Sequence, residues 1–399
     1  MSDYLYDAAR RLVAYNTVST NSNLEAVEYL AVELRRHGFR VAQQPIELFG
    51  TQHANLVAWT GPQRDGGLII SGHIDMVPFA GQPGWTREPL KLEPAGERIY
   101  GRGTSDMKCF IAQCLDAAAQ LDRSKLTRPL VFVFTAGEEV GCLGAKEAAS
   151  GLARILDGTP PPRLAWIGEP TSYQLCHAHK SIVLFDVTVR GRGGHSGAPA
   201  EGVNSIAVMG KVLDAIGRYQ AELAASPSAA FANVFPDSPT SVLNFGTIQG
   251  GLALNMIAEE CRLAISYRSL PDEDPLAIYR EIERRIAAID THDYASRNHR
   301  ATITPTDPLI VPPLNAPRGT DLEQVLCDVT GARGSRGALF GTDGGWFSRS
   351  GIVSLICGPG DLDQAHQPDE SIRREPFERG TSIVLKVVER MCCGESAPR

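Results

Sequence analysis

The run Leu68-Ile69-Ile70-Ser71-Gly72-His73-Ile74-Asp75-Met76-Val77-Pro78 is a short apolar stretch that delivers a histidine and an aspartate before a proline-closed turn. A buried strand ending this way sets polar side chains where open α/β sheets place their sites. His73 can offer one ring nitrogen to a metal while Asp75 holds the other ring N–H and so fixes the tautomer. Taken alone, a His beside an Asp at a strand end is ordinarily a hydrogen-bonded pair. The pattern recurs, however. Residues 131–135 form a second apolar run and lead into Gly137-Glu138-Glu139. Residues 164–167 end in Gly168-Glu169-Pro170. Residues 353–357 lead through Gly358-Pro359-Gly360 to Ala365-His366-Gln367-Pro368-Asp369-Glu370. Four apolar runs that each finish at or near histidines or carboxylates are hard to ascribe to chance.

A further carboxylate lies in Tyr100-Gly101-Arg102-Gly103-Thr104-Ser105-Asp106-Met107-Lys108, before a helix expected over about 107–122. The two glycines suggest a dinucleotide loop, but Asp106 occupies the third glycine position, which argues against it. Asp106 either caps the helix or points into a site, and this segment alone favours the cap. His73, Asp106, Glu139, Glu169 and His366 together make a set of two imidazoles and three carboxylates. Such donors suit zinc, with cobalt or manganese as substitutes. Five ligands hold two ions if one carboxylate is shared, at the ~3.5–4 Å separation of two-metal hydrolases. Adjacent residues at a strand end point to different sides, so Glu139 can bind metal while Glu138 stays free as a base. The natural reaction of such a site is amide hydrolysis.

The elements that must carry these groups follow from periodicity. A helix is expected over 23–37, ending at Gly38, with strands at 39–44 and 54–59 before the central strand at 68–72. Residues 78–98, rich in Gly and Pro, read as a loop forming a rim of the site. Between 181 and 305 the character changes: strands at 181–189, 242–247, 261–267 and 301–305 alternate with helices at 204–223 and 275–289. The order βαββαβ describes a ferredoxin-like unit inserted into an α/β domain with a mixed, mostly parallel sheet. Its Ser/Ala/Pro-rich stretch, about 224–239, is expected to be mobile. Helices at about 320–330 and 375–392 return to the first domain. The domains are thus 1–180 and 313–399 for the catalytic part and 181–312 for the insert.

Composition sets the outer bounds. Apolar residues make up 43% of the chain and charged residues 21%, in the ordinary globular range. A net charge of −7 argues against a nucleic-acid surface. No apolar run approaches ~18 residues, so no membrane span is expected, and the first residues lack the pattern of a signal peptide. The nine cysteines are scattered without a CxxC, which points to reduced thiols in a cytoplasmic protein.

These motifs together resemble the acetylornithine deacetylase and succinyl-diaminopimelate desuccinylase family of dizinc amidohydrolases, which also includes aminoacylases and some exopeptidases. The resemblance rests on Ser71 to Pro78, Gly101 to Lys108, Gly137 to Gly141, Gly168 to Thr171, and His366. It implies that Asp106 bridges two Zn2+ ions per subunit, with Co2+ as a substitute. His73 and Glu169 would complete one site, and Glu139 and His366 the other. Asp75 would orient His73, and Glu138 would be the general base. The inserted unit resembles the family's lid, through which two subunits form a homodimer. Within it, Gly193-Gly194-His195-Ser196-Gly197 matches the histidine that reaches the partner's site and supports the oxyanion. Asn255, Arg268 and Lys180 match substrate contacts, as do Gly341 and Thr342 less closely.

Longer stretches lean toward the acetylornithine deacetylase branch, among them Trp85 to Pro89, Ala178-His179-Lys180 and Gln364 to Glu370. The implied reaction releases ornithine and acetate from N2-acetyl-L-ornithine, in arginine biosynthesis. Cys109, Ala136 and Asp343-Gly344-Gly345 depart from the branch, partly on the substrate side. The alternative is a related dizinc amidohydrolase acting on another small N-acyl amino acid: a desuccinylase, aminoacylase or dipeptidase. A scaffold protein without catalysis is disfavoured, because every ligand and Glu138 are present.

Overall fold

The computed structural model describes residues 3–296 and 298–393. Two compact units divide the chain. The first runs to Ala178, takes in Leu314–Gly337 and continues from Thr342; the second comprises His179–Pro313 and Ala338–Gly341. The stretch 338–341, expected with the first unit, is thus counted with the second. There the Leu339 carbonyl accepts from Arg268 Nη1 at 3.3 Å, and Gly341 lies against Ile182 and Val311.

The first unit is organised by four parallel strands. In sheet order they are Leu130–Thr135, Leu68–His73, Leu164–Ile167 and Val353–Ile356. Thr51–Thr60 and Arg40–Leu48 extend one side antiparallel, and Leu175–His179 begins the other. Because the four central strands run the same way, their C-terminal ends share one edge of the sheet. Alternation then sends successive side chains to opposite faces. Leu68, Ile70, Leu130, Phe132 and Phe134 join the main core with helices Asp3–Ala14, Leu24–Arg36, Cys109–Gln120 and Arg374–Val388. Ile69, Val131 and Val133 are equally buried. Helices Leu143–Ile155 and Gly344–Arg349 pack on the strands as well. Each such side chain contributes roughly 1.5–3 kcal/mol of hydrophobic stabilisation. A strand covered on both faces has no polar alternation to show, which is why these runs read as continuous apolar sequence.

Two local features depart from the sequence reading. The rim stretch is not wholly loop, since Glu93–Ala95 pairs with Arg98–Tyr100, which in turn pairs with Ser371–Arg373. The helix expected from 107 begins at Cys109, because Asp106 and Met107 leave the helical region (φ −127°, ψ 93° and φ −138°, ψ 31°).

In the second unit the chain order is strand Ile182–Arg190, helix Ser205–Ala224, strands Val242–Gly250 and Glu260–Arg268, helix Ala277–Ala287 and strand Thr302–Pro305. The antiparallel sheet places Val242–Gly250 at one edge, then Glu260–Arg268, Ile182–Arg190 and Thr302–Pro305. Both helices bury one stripe on this sheet, with Val208, Val212, Ile216, Ile278, Ile282 and Ile286 in its core. The stretch expected to be mobile is tied down. Phe231 and Phe235 are buried, and the Lys180 ammonium donates to the carbonyls of Ser238 and Thr240, both at 2.7 Å.

The strand end before Glu169 is closely packed. A Cβ on Gly168 would lie 2.0 Å from the Phe110 ring. Gly168→Ala is expected to destabilise the protein by about 1–3 kcal/mol through overpacking, read as a lower urea midpoint. Adding Phe110→Leu should recover part of the loss, and a parent-like midpoint for Gly168→Ala would show that the strand end has room.

Candidate metal centre

The edge formed by the four parallel strands brings together the side chains that the sequence pattern singled out. His73 is the last residue of its strand and is fully buried. Its Nδ1 lies 3.0 Å from the main-chain oxygen of Asp75. A carbonyl only accepts, so Nδ1 carries the proton and Nε2 keeps its lone pair for the site. Nε2 in turn lies 2.9 Å from Asp106 Oδ1 and 3.9 Å from Glu169 Oε2.

Asp75 does its orienting differently from the sequence expectation. Its carboxylate is 3.7 Å from His73 Nδ1, beyond hydrogen-bond range, and the carbonyl has taken that place. The carboxylate instead accepts the main-chain N–H of Glu138 at Oδ1 (3.1 Å) and that of Glu139 at Oδ2 (3.3 Å). The Ser19 hydroxyl also donates to Oδ2 at 2.7 Å. Asp75 therefore pins the turn that carries both glutamates.

That turn is opened by Gly137 in the left-handed region at φ 69°, where a Cβ is disfavoured. It takes the chain out of the strand before the glutamates and sends them to different partners. Glu138 groups with His73 and Glu169, whereas Glu139 groups with His73 and Asp106. Glu139 Oε2 lies 3.0 Å from His366 Nε2. His366 approaches Asp106 Oδ2 at 3.4 Å, from a loop residue that is itself left-handed at φ 64°.

Asp106 is the pivot, one oxygen turned to His73 and the other to His366. A carboxylate so disposed could be shared between two cations, and the N-cap position of the helix Cys109–Gln120 is held by Lys108 and not by Asp106. Glu139 Oε1 is buried without a hydrogen-bond partner, the state of an oxygen meant for an ion. Hard oxygens with two imidazoles fit zinc or a similar divalent metal.

The electrostatics say the same. Burial, then the neighbouring Glu169 charge, pushes Glu138 far above the usual carboxylate range. Burial and Asp106 bring Glu139 up to about 7, and Glu169 is raised well above the ordinary range by burial. The bonds to Asp106 and Glu139 lift His366 to about 10. Burial lowers His73, but its bond to Asp106 and the surrounding carboxylates outweigh that and raise it. Half of the His366 side chain remains exposed, so the centre is open to solvent on that side.

Sequence reasoning passed over two neighbours. In the sequence Asp343 stands out only within Asp343-Gly344-Gly345, as a departure from the deacetylase branch. Asp343 is buried, its Oδ2 accepts from the Thr135 hydroxyl at 2.5 Å, and it groups with Glu138 and Cys142. Cys142 Sγ donates to Glu138 Oε1 at 3.4 Å. A carboxylate inside a Gly-Thr-Asp-Gly run resembles a turn residue, which hid it. Thr342 itself is buried, its hydroxyl accepting from Gly344 N at 3.1 Å.

In the second unit, His195 pairs with Met256 on a two-stranded ribbon, and the Asn255 carbonyl accepts from Ser196 N at 3.1 Å. Both residues are exposed. His195 Nδ1 accepts from Gly197 N at 2.9 Å, which leaves the proton of the neutral ring on Nε2. Lys180, expected to contact substrate, is held within the second unit. Its ammonium is engaged by Ser238 O, Ser238 Oγ and Thr240 O, so those bonds would have to break before it could reach a substrate. Burial lowers the pKa of Arg268, whose guanidinium makes one long bond, to Leu339 O.

Residues 69–390 match peptidase family M20/M25/M40. The chain is 32% identical over 391 residues to an acetylornithine deacetylase of Pasteurella multocida (strain Pm70), covering 96% of this chain and 97% of that one. Among solved structures, the M20 family metallo-carboxypeptidase Sso-CP2 of Sulfolobus solfataricus superposes with a TM-score of 0.78. Its identity is 14%, and the match covers 98% of this chain and 99% of that one. The YXEP protein of Bacillus subtilis, described as a dinuclear metal binding peptidase of the M20 family, gives 0.64 at 15% identity over 96% of each chain. The chain belongs to peptidase family M20/M25/M40 and is a metal-dependent amidohydrolase.

Proposed function

We propose that the protein is a dizinc deacetylase of N2-acetyl-L-ornithine, releasing ornithine and acetate for arginine biosynthesis. The observation that carries the metal chemistry is the Asp106 carboxylate set between His73 and His366. The relative at 32% identity over nearly the whole chain supports the substrate. His73 and Glu169 would hold one ion, Glu139 and His366 the other, with Asp106 common to both and cobalt able to replace zinc. When bound, the two ions polarise the scissile carbonyl and make water acidic at neutral pH. Glu138 takes the proton from the attacking water and passes it to the departing amine. Asp75 keeps Glu138 and Glu139 in register through their main-chain N–H groups. His195, with its proton on Nε2, donates to the developing oxyanion.

For the substrate's own carboxylate, Arg268 is the better-suited group, since a guanidinium binds it through two parallel bonds. Asn255, Gly341 and Thr342 complete the proposed substrate contacts, with Lys180 acting through the loop it anchors. A homodimer through the second unit is supported by its edge strand Val242–Gly250. The nearby Leu252 and Leu254 are 91% and 105% exposed. Such an edge is a template for a second chain. Among the described residues no helix is long and apolar enough to cross a membrane. The nine cysteines are free, which accords with a reducing cytoplasm.

Amine release from N-acetylornithine, N-acetylcitrulline, N-acetylmethionine, N-succinyl-diaminopimelate and a dipeptide tests the assignment, with a chelator control. Chelator-sensitive preference for N-acetylornithine is expected. Preference for another member would retain the hydrolase and discard this substrate.

Glu138→Gln should retain both ions by metal analysis while turnover is abolished. Survival of activity would remove the general-base role.

His195→Ala should lower kcat by roughly two orders of magnitude with metal content unchanged. If His195 serves the partner's site, mixing this variant with Glu138→Gln should restore roughly a quarter of parental activity through heterodimers. No restoration would count against action across the dimer.

A further inference from the structure

Four residues beyond His366, the Glu370 side chain is almost completely buried, as is its partner Arg102. Glu370 Oε2 accepts from Arg102 Nη1 at 2.7 Å. Its other oxygen, Oε1, accepts the main-chain N–H groups of Ser105 at 2.9 Å and Asp106 at 3.1 Å. The second arm of the guanidinium, Nη2, donates to Gln82 Oε1 at 2.6 Å. The Gln82 amide in turn donates to the main-chain oxygen of His366 at 2.8 Å. The Trp85 indole N–H also donates to Gln82 Oε1, at 3.1 Å, and its ring lies 5.0 Å from the guanidinium carbon.

We propose that Glu370, gripped by Arg102, is the positioning residue of the metal centre, joining the main chain that bears Asp106 to the main chain that bears His366. The proposal rests on reading those two side chains as metal ligands.

Three observations lead to it. The first is energetic. A buried ion pair is commonly no better for stability than an apolar pair of the same volume, and here Arg102 Nε is left without a partner. Stability alone does not explain keeping it. The second is directional, since the bonds that leave the pair go to the Asp106 peptide and, through Gln82, to the His366 carbonyl. A planar guanidinium fork transmits direction as well as charge. The third is conformational. His366 is left-handed without being glycine, a state that persists only where its surroundings over-determine it. Asp106 likewise breaks the helical geometry around it. Because each Asp106 oxygen faces a different histidine, a small turn of its main chain would disturb both halves of the centre at once.

The test is made on the full chain, by zinc stoichiometry and affinity in competition with a chromophoric chelator and by the absorption spectrum of the cobalt-loaded form. The parent should hold two ions; a parent that does not would sink the ligand assignment itself, independently of Glu370. Given two ions, Glu370→Gln should weaken zinc by roughly 10–100-fold, alter the cobalt spectrum and lower kcat with little change in KM. Arg102→Met should behave alike, and the double variant should be no worse than the poorer single one, as for two parts of one unit. Additive losses would make the two residues independent and overturn the proposal. Gln82→Ala leaves the ion pair in place and removes the link to His366, so it should loosen one ion of the two. Where Glu370→Gln fails to fold, Gln82→Ala alone decides. Parental zinc affinity and cobalt spectrum in these variants would overturn the proposal.

Discussion

Asp106, Glu138, Glu139 and Glu169 lie together on the sheet edge, Asp106 and Glu169 buried and the other two partly so. An unpaired carboxylate in such surroundings costs several kcal/mol even after relaxation, and four in contact repel one another as well. Two imidazoles cannot neutralise them. The fold therefore carries a permanent demand for positive charge at this place. The opposing histidines on Asp106 and the unpartnered Glu139 oxygen follow from the same demand.

The architecture meets that demand with rigid parts wherever it can. Parallel strands covered on both faces fix where His73, the glutamate turn and Glu169 emerge, since their main chains are hydrogen-bonded to one another. The two proposed ligands that do not sit directly on strand ends, Asp106 and His366, are the ones reached by the buried Arg102–Glu370 pair and Gln82. Asp75 performs the corresponding service for Glu138 and Glu139. The supporting polar groups thus act mainly on peptide groups. This is economical, because a main-chain hydrogen bond fixes a segment and with it the direction of its side chain.

The second unit follows a separate logic. Its core is an ordinary sheet with two amphipathic helices, and the residues of functional interest stand on its exposed ribbon and turns. The ammonium of Lys180 is committed to holding the 225–241 segment. His195 has its tautomer set by a neighbouring peptide N–H. Both arrangements are made within the second unit itself.

Much of the fold and of the proposed ligand set was legible in the sequence, because both depend on patterns that sequence carries directly. A strand buried on two faces must be an apolar run, and a side chain that leaves its end must follow in the next few residues. His73, Glu138, Glu139 and Glu169 were therefore identifiable from position alone. Asp106 and His366 needed the whole set before a ligand reading could outweigh a cap or a loop histidine. Other features depend on which atoms meet across long sequence distances. That the Asp75 carbonyl, and not its carboxylate, holds His73 is decided by less than an ångström. Asp343 becomes part of the site only because the sheet brings residue 343 beside residue 135. Glu370 and Arg102 find each other across 268 positions, in a burial that no local pattern announces. The sequence by itself determined which strands would be buried and which donor types would leave their ends, since hydrophobic periodicity and residue chemistry are local properties. Only the tertiary structure decided which oxygen faces which nitrogen, because hydrogen-bond geometry is settled by packing between segments that the chain keeps far apart.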